Sequence, residues 1–235
     1  MAKKKLVVLS GAGVSAESGI STFRDSNGLW ENYRVEDVAD ISAWPRNPGL
    51  MIEFYNIRRR ELKNVKPNAA HIAIAELEKD YDVTVITQNV DNLHERAGST
   101  RVVHLHGELT KVRSERCYND ADGYSTQGVF DIGYEDIQLG DKGADGGQLR
   151  PHIVWFGEAV PNITKAIDYV EAADIVLIIG TSLKVYPAAG LYAYAKRDAR
   201  IWLIDPADVN IGDKRVKHIK EVATEGMAIF KEEIK

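Results

Sequence analysis

Leu6-Val7-Val8-Leu9-Ser10-Gly11-Ala12-Gly13-Val14-Ser15-Ala16 is the stretch on which the fold turns. Leu6 to Leu9 is an unbroken apolar run, the pattern of a strand covered on both faces, since neither face alternates to polar residues. It stops at Ser10 and runs into Gly11-Ala12-Gly13-Val14-Ser15-Ala16, a G-x-G-x-x-[GA] pattern between a strand and a helix start. Glycines there let backbone N–H groups approach a pyrophosphate at a helix N-terminus. The same turn also suits plain close packing. No acidic residue stands at a second strand end about 20 positions on, so an ordinary dehydrogenase fingerprint is incomplete.

Further along, Val83–Ile86, Ile175–Ile179 and Ile201–Ile204 repeat the apolar run and end at Thr87, Gly180 and Asp205. Helical patterns lie between them: Asn68–Lys79, with Ile72, Ala75 and Leu77 as its expected apolar face, the stretch after Pro187, and Val216–Lys231. Strands alternating with helices imply an α/β fold, a Rossmann-like doubly wound parallel sheet with helices on both faces. Ligands of such sheets sit beyond the carboxyl ends of the strands. The polar, glycine-rich segment from Leu109 to Leu149 is too long for an ordinary loop and reads as a small inserted module.

A length of 235 residues suits one large domain carrying such an insertion. The net charge of -5 provides no electrostatic footprint for nucleic acid or an anionic membrane, and neither is expected as a partner. The single cysteine, Cys117, rules out an intramolecular disulfide and any tetracysteine zinc site. After Met1-Ala2-Lys3-Lys4-Lys5 the run Leu6–Leu9 is too short for a signal-peptide core or a membrane span, so a cytoplasmic protein is expected.

Several longer motifs follow in order: Gly19-Ile20-Ser21-Thr22-Phe23-Arg24, Thr87-Gln88-Asn89-Val90-Asp91-Asn92-Leu93-His94 and His104-Leu105-His106-Gly107-Glu108. Then come Arg150-Pro151-His152-Ile153-Val154-Trp155-Phe156-Gly157-Glu158 and Gly180-Thr181-Ser182-Leu183-Lys184-Val185-Tyr186-Pro187-Ala188. Together they resemble the sirtuin family of NAD-dependent protein deacylases over nearly the whole chain. The resemblance implies one catalytic domain over 1–235, with a large Rossmann-like part near 1–30, 65–108 and 150–235. The small module would take a helical segment near 31–64 and the region near 109–149, with a cleft between the two parts.

In that family the acyl-lysine amide oxygen attacks the nicotinamide ribose, nicotinamide leaves, and a histidine base activates a ribose hydroxyl so that the acyl group departs on ADP-ribose. His106 matches the base, a task that suits a neutral imidazole near physiological pH. A lone histidine such as His71 reads instead as structural. By the same resemblance Asn89 orients the ribose and its water, and Asp91 accepts the nicotinamide carboxamide N–H. Cofactor contacts are expected from Gly11, Ala12, Gly13, Ser15, Ile20, Phe23, Arg24, Gln88, Val90, Gly180, Thr181 and Ser182. Asp205 stands where the family usually places an asparagine, facing the adenosine ribose, and Ala223 near the adenine. Val154, Phe156, Gly157 and Glu158 on one edge and Leu183, Val185 and Tyr186 on the other match the strands between which an extended acyl-lysine peptide pairs.

The helix expected over Pro48–Val65 puts Met51, Tyr55, Arg58 and Leu62 on one stripe. An arginine in a semi-apolar stripe asks for an anion, and Tyr55 and Arg58 at i and i+3 can converge on one carboxylate. This Tyr-x-x-Arg resembles the signature of sirtuins preferring succinyl, malonyl or glutaryl lysine. Arg58-Arg59-Arg60 alternatively forms a solvated basic face paired with Glu53 and Glu61. Where the family carries two C-x-x-C pairs, this chain reads Ser114-Glu115-Arg116-Cys117 and Lys142-Gly143-Ala144-Asp145. No structural zinc is expected, and packing through Val129, Phe130, Ile132, Tyr134, Ile137 and Leu139 is expected to hold the module. Two rivals stay open on the sequence: protein ADP-ribosyl transfer, and a non-catalytic NAD-binding module.

Overall fold

β1 (Lys5–Ser10) carries the first apolar run and pairs in parallel on both sides, with β2 (Asp82–Thr87) and with a later strand, Ile175–Ile179. The computed structural model from which this comes describes residues 2–20, 33–117, 128–209 and 211–234. Along the chain follow β3 (Val102–His104), β4 (Gly107–Ser114), β5 (Phe130–Asp131), β6 (Leu149–Ile153), β7 (Ile175–Ile179), β8 (Arg200–Ile204) and β9 (Val216–Ile219). The main sheet is wholly parallel in the order β3-β2-β1-β7-β8-β9. Strand order therefore reverses between β1 and β7, and a crevice opens at that switch point. Ser10 stands level with both Thr87 and Ile179, which brings three carboxyl ends to one height.

The helices are α1 (Gly13–Ala16), α2 (Val35–Val38), α3 (Pro48–Asn64), α4 (Ala69–Glu76), α5 (Leu93–Arg96), α6 (Ile163–Ala172) and α7 (Ala223–Glu233). Side chains alternate across a strand, so Leu6 and Val8 pack with Ala70 and Ile74 of α4 and with Met227 and Phe230 of α7. Val7 and Leu9 point the other way, onto Ala166 and Val170 of α6. Both faces of the sheet are thus dry, which is why these runs are apolar but for the buried Thr84.

Three helical expectations are corrected by packing. α4 begins after Asn68, whose side chain accepts the Ala70 and His71 amides in a capping box, and it buries Ala70, His71, Ile74 and Leu77. Ile72 lies on the outer face. Val216–Lys231 splits into β9 and α7, because Val216–Ile219 completes the sheet edge before the helix starts. After Pro187 the turn over Ala188–Tyr194 is a 3-10 helix.

The smaller sheet is antiparallel, in the order β5-β4-β6, and packs against α3 through Phe54, Tyr55, Leu62, Val112 and Trp155. α3 is capped by Asn47, which accepts the Leu50 N–H, and has Pro48 in its first turn. Of the module's expected packing residues, Ile137 is buried and Ile132 and Tyr134 are partly so, whereas Phe130 and Leu139 are exposed.

At three of the positions where the resemblance places cysteines, hydrogen bonds bring the residues together. The Asp145 carboxylate accepts from Ser114 Oγ at 2.7 Å, from the Gly147 N–H at 2.9 Å and from Cys117 Sγ at 3.9 Å. The bonds from Ser114 and the Gly147 amide hold the Asp145 carboxyl below its ordinary value. Asp145→Ala is expected to speed amide exchange in residues 111–117 and 141–149 and to leave protection of the parallel sheet unchanged, a pattern that hydrogen-exchange mass spectrometry resolves.

Candidate active site

The crevice is formed by two turns in direct contact. The Gly11 N–H donates to the Ile179 carbonyl at 3.0 Å and the Gly13 N–H to the Gly180 carbonyl at 2.8 Å. A Cβ on Gly13 would stand 2.8 Å from Gly180 Cα, so only glycine fits. The Val14 and Ser15 amides donate to the Gly11 and Ala12 carbonyls. The amides of Gly11, Gly13, Val14 and Ser15 are therefore engaged within the chain. What the glycines supply is close approach and a floor without side chains.

That floor belongs to a cavity of about 670 Å³. It brings together Gly11, Ala12, Gly13, Ser15, Ile20, Gln88, Asn89, Val90, Asp91, His106, Gly180, Thr181 and Ser182, and continues past Tyr55, Arg58, Val154, Phe156, Gly157, Glu158, Val185 and Tyr186. Leu183, Asp205 and Ala223 are not among the lining residues. Leu183, at φ 54, packs on the core under α6, and the Asp205 carboxylate accepts the Ala207 N–H at 2.9 Å. Phe23 and Arg24 lie outside the described residues.

Ser15 ties the polar end of the cavity together. Its hydroxyl donates to Asp91 Oδ2 at 3.0 Å and accepts from Asn89 Nδ2 at 3.0 Å. Asp91 Oδ1 also accepts the Leu93 N–H, and burial pushes the carboxyl above its ordinary pKa. His106 sits at the wall with Nδ1 3.0 Å from the Gln88 carbonyl oxygen. A carbonyl can only accept, so Nδ1 carries the hydrogen and Nε2 keeps its lone pair. Burial lowers the His106 pKa and favours the neutral ring. Gln88 in turn donates to Thr181 Oγ1 at 3.1 Å, bracing β2 against β7. His71, closing the α4 cap and pushed by burial down to about 4, has the structural part expected of it.

A strand-end glycine crevice, a positioned asparagine and carboxylate, and a neutral histidine facing one cavity have close counterparts. The Sir2 family model matches residues 11–187. The chain belongs to the Sir2 family. An NAD-dependent protein deacylase of Bacteroides thetaiotaomicron is 57% identical over 97% of both chains. One of Helicobacter pylori is 53% identical over 95% of this chain and 94% of its own. The crystal structure of a Sir2 homologue–NAD complex superposes with a TM-score of 0.85 at 40% identity, covering 99% of this chain and 90% of that one. Among the described residues of this Sir2 chain, no group of His, Cys, Asp and Glu could hold a metal ion, and no helix is long and apolar enough to cross a membrane.

The three arginines of α3 part company. Arg60 pairs on the surface with Glu53 and Asp136. Arg59 is buried and donates to the Leu109 carbonyl at 2.7 Å, to Asn56 Oδ1 at 2.8 Å and to the Glu135 carbonyl at 3.1 Å. Only Arg58 reaches the cavity, its guanidinium carbon 5.9 Å from the Tyr55 ring centre. The solvated-face reading thus holds for Arg60 alone. Trp155, which the sequence reading passed over, donates its indole N–H to the Tyr55 oxygen at 3.0 Å. Burial pushes the Tyr55 hydroxyl up to about 12, so it stays protonated and able to donate.

Glu158 has a structural part that its place in the motif did not reveal. Its carboxylate accepts two bonds from Arg150, at 2.8 and 2.9 Å, one from Arg113 at 3.0 Å and the Trp155 N–H at 2.8 Å. Arg150 also lies 3.4 Å from the centre of the Trp155 ring. The Phe156 amide and carbonyl bridge to Ala39 and Ile41, so little of this edge beyond Gly157 is left for pairing with another chain. Removing Glu158 takes away the carboxylate that these two buried guanidinium groups share. Glu158→Ala is expected to cost about 3–5 kcal/mol in denaturant unfolding.

Proposed function

We propose that this Sir2 chain is an NAD-dependent protein lysine deacylase whose acyl pocket favours chains ending in a carboxylate, succinyl, malonyl or glutaryl, over acetyl. The observation that carries the reading is Tyr55 and Arg58 lining the same cavity as His106, Asn89 and Asp91. A dinucleotide suits a cavity whose floor at the β1 and β7 ends is glycine and small residues, with Gly11–Ser15 and Gly180–Ser182 on the phosphate and adenosine side. The names of the relatives support the same cofactor and the same reaction class. When bound, NAD supplies an electrophilic ribose carbon and the ADP-ribose that receives the acyl group.

The chain's own residues do the rest. Asp91, desolvated and held by Ser15 and the Leu93 amide, accepts a carboxamide N–H. Asn89, fixed by its bond to Ser15, orients a hydroxyl or a water at the cavity wall. His106 takes a hydroxyl proton on Nε2. The acyl-lysine of a protein or peptide enters between Gly157 and the Val185–Tyr186 edge. In this arrangement the parallel sheet is the large part and α3 with the antiparallel sheet is the small one, the cleft lying between them.

Both halves of the reading are testable on one peptide sequence carrying either succinyl-lysine or acetyl-lysine, with products weighed by mass spectrometry. Succinyl removal with O-succinyl-ADP-ribose formed, and none of either with His106→Ala, is the expected result. A charge-assisted contact to Arg58 contributes about 1.5–3 kcal/mol, so Arg58→Met should lower kcat/KM for succinyl-lysine roughly tenfold to a hundredfold and spare acetyl-lysine. Equal losses on both peptides would return Arg58 to general support of the site, and ADP-ribose left on protein would mean a transferase. Because the His106 pKa is lowered, its free base survives to lower pH. The acid limb of kcat/KM should therefore fall below the ordinary imidazole value of about 6.5.

A further inference from the structure

Two histidines stand two residues apart at the end of β3, and their partners differ. His106 spends one ring nitrogen on a carbonyl and turns the other toward the cavity. His104 spends both: Nδ1 lies 3.0 Å from the Asn89 carbonyl oxygen, and Nε2 lies 2.8 Å from Oε1 of Glu95. A carbonyl oxygen only accepts, and so does an ionised carboxylate. Both bonds form together when both ring nitrogens carry hydrogen. We propose that His104 is a positioning residue, a fixed imidazolium clamped by Glu95 that holds the Asn89 backbone and sets a positive charge behind Asp91. Its part in turnover rests on the deacylase reading, while its charge and its bonds do not.

Charged and titratable groups face His104 from every packed element, and the carboxylates favour its charge. α5 brings Glu95, and β4 brings Glu108 with Lys111, which pair with each other at 2.8 Å. His152 on β6 is pushed by burial and nearby cations down to about 3, and His94 on α5 well below the ordinary range, so neither competes as a cation. Lys165 on α6 is exposed. The site side contributes Asp91, whose carboxyl the His104 charge lowers against the effect of burial. Burial by itself would strip the proton from His104, but the bond to Glu95, the charges of Glu95 and Glu108, and the Asn89 carbonyl outweigh it and raise its pKa. The Asn162 side chain anchors the other end by donating to the His104 carbonyl at 2.8 Å.

Consecutive carbonyls, Gln88 and Asn89, are thus gripped by alternate histidines, one left neutral and one charged. The sign of the pH effect follows. Raising pH through the elevated His104 pKa removes one of the two hydrogens, so either the clamp on Asn89 or the bond to Glu95 is lost, together with the charge behind Asp91. Turnover then carries a basic limb belonging to His104, separate from the acid limb of His106.

The test uses nitrogen NMR on the histidine-labelled whole chain alongside the pH profile of kcat. Both ring nitrogens of His104 should be protonated at about pH 7 and titrate above the ordinary imidazole value. Glu95→Gln keeps an acceptor oxygen but not the charge. It should move the His104 titration and the basic limb of kcat to lower pH together, with on the order of tenfold lower kcat near pH 8 and an unchanged peptide KM. His104→Gln keeps a single donor and should abolish the basic limb. A single-tautomer neutral His104 in the wild type, or a Glu95→Gln profile that coincides with wild type, overturns the proposal. A wild type that turns over no acyl-lysine would sink the deacylase reading, and the nitrogen titration would still decide the charge on His104.

Discussion

The contact on which the site depends is the backbone bond from Gly13 to the Gly180 carbonyl, with Gly11 and Thr181 pressed together beside it. It closes the sheet at the point where strand order reverses, and it admits no Cβ. Because β1, β2 and β7 end level there, residues far apart in sequence arrive at one rim. Ser15 comes from α1, just after β1, Asn89 and Asp91 from the turn after β2, and Thr181 from the turn after β7. A side chain wedged into the glycine contact would separate the ends by more than a hydrogen bond tolerates, and the Ser15 junction would come apart with them.

The polar cluster behind that rim is organised by what burial does to each group. A desolvated carboxyl resists ionisation, yet Asp91 is given a hydroxyl, an amide and a nearby positive charge. The histidines divide accordingly. Burial drives His71 and His94 to the uncharged form, and His94 meets the Ser10 hydroxyl at 2.9 Å. His104 keeps its charge because a carboxylate is bonded to it. In a medium of low dielectric these choices fix the protonation pattern more firmly than solvent could.

Among the described residues of the module beyond the cleft, hydrogen bonds and ion pairs tie the segments together. Arg59 threads beneath β4 and donates to two backbone carbonyls and an asparagine. The Arg113–Glu158–Arg150 cluster joins β4 and β6 to the turn at Trp155–Glu158 that walls the cavity. Asp145 collects donors where cysteine pairs would stand. Each device satisfies buried or half-buried polar groups from several segments at once, so the module's order depends on tertiary contacts rather than on a single cross-link.

Much was legible in the sequence, since a strand buried on both faces has to be continuously apolar and a backbone contact without room for Cβ has to be glycine. Those constraints are local, so they fixed the parallel sheet, the crevice at its carboxyl ends, and the motif residues that line it. What the sequence could not determine was which polar side chains spend their atoms on one another. Arg58, Arg59 and Arg60 are one triplet in sequence, and only helix packing sends one to the cavity, one into the core and one to the surface. Glu158 sits in a motif and Asp205 at a strand end, yet their carboxylates are engaged by Arg150 and by the Ala207 amide. His104 and His106 differ in charge only because a carboxylate from α5 meets one ring and not the other. Hydrogen bonding and desolvation act through space between distant segments, so these assignments belong to the tertiary structure alone.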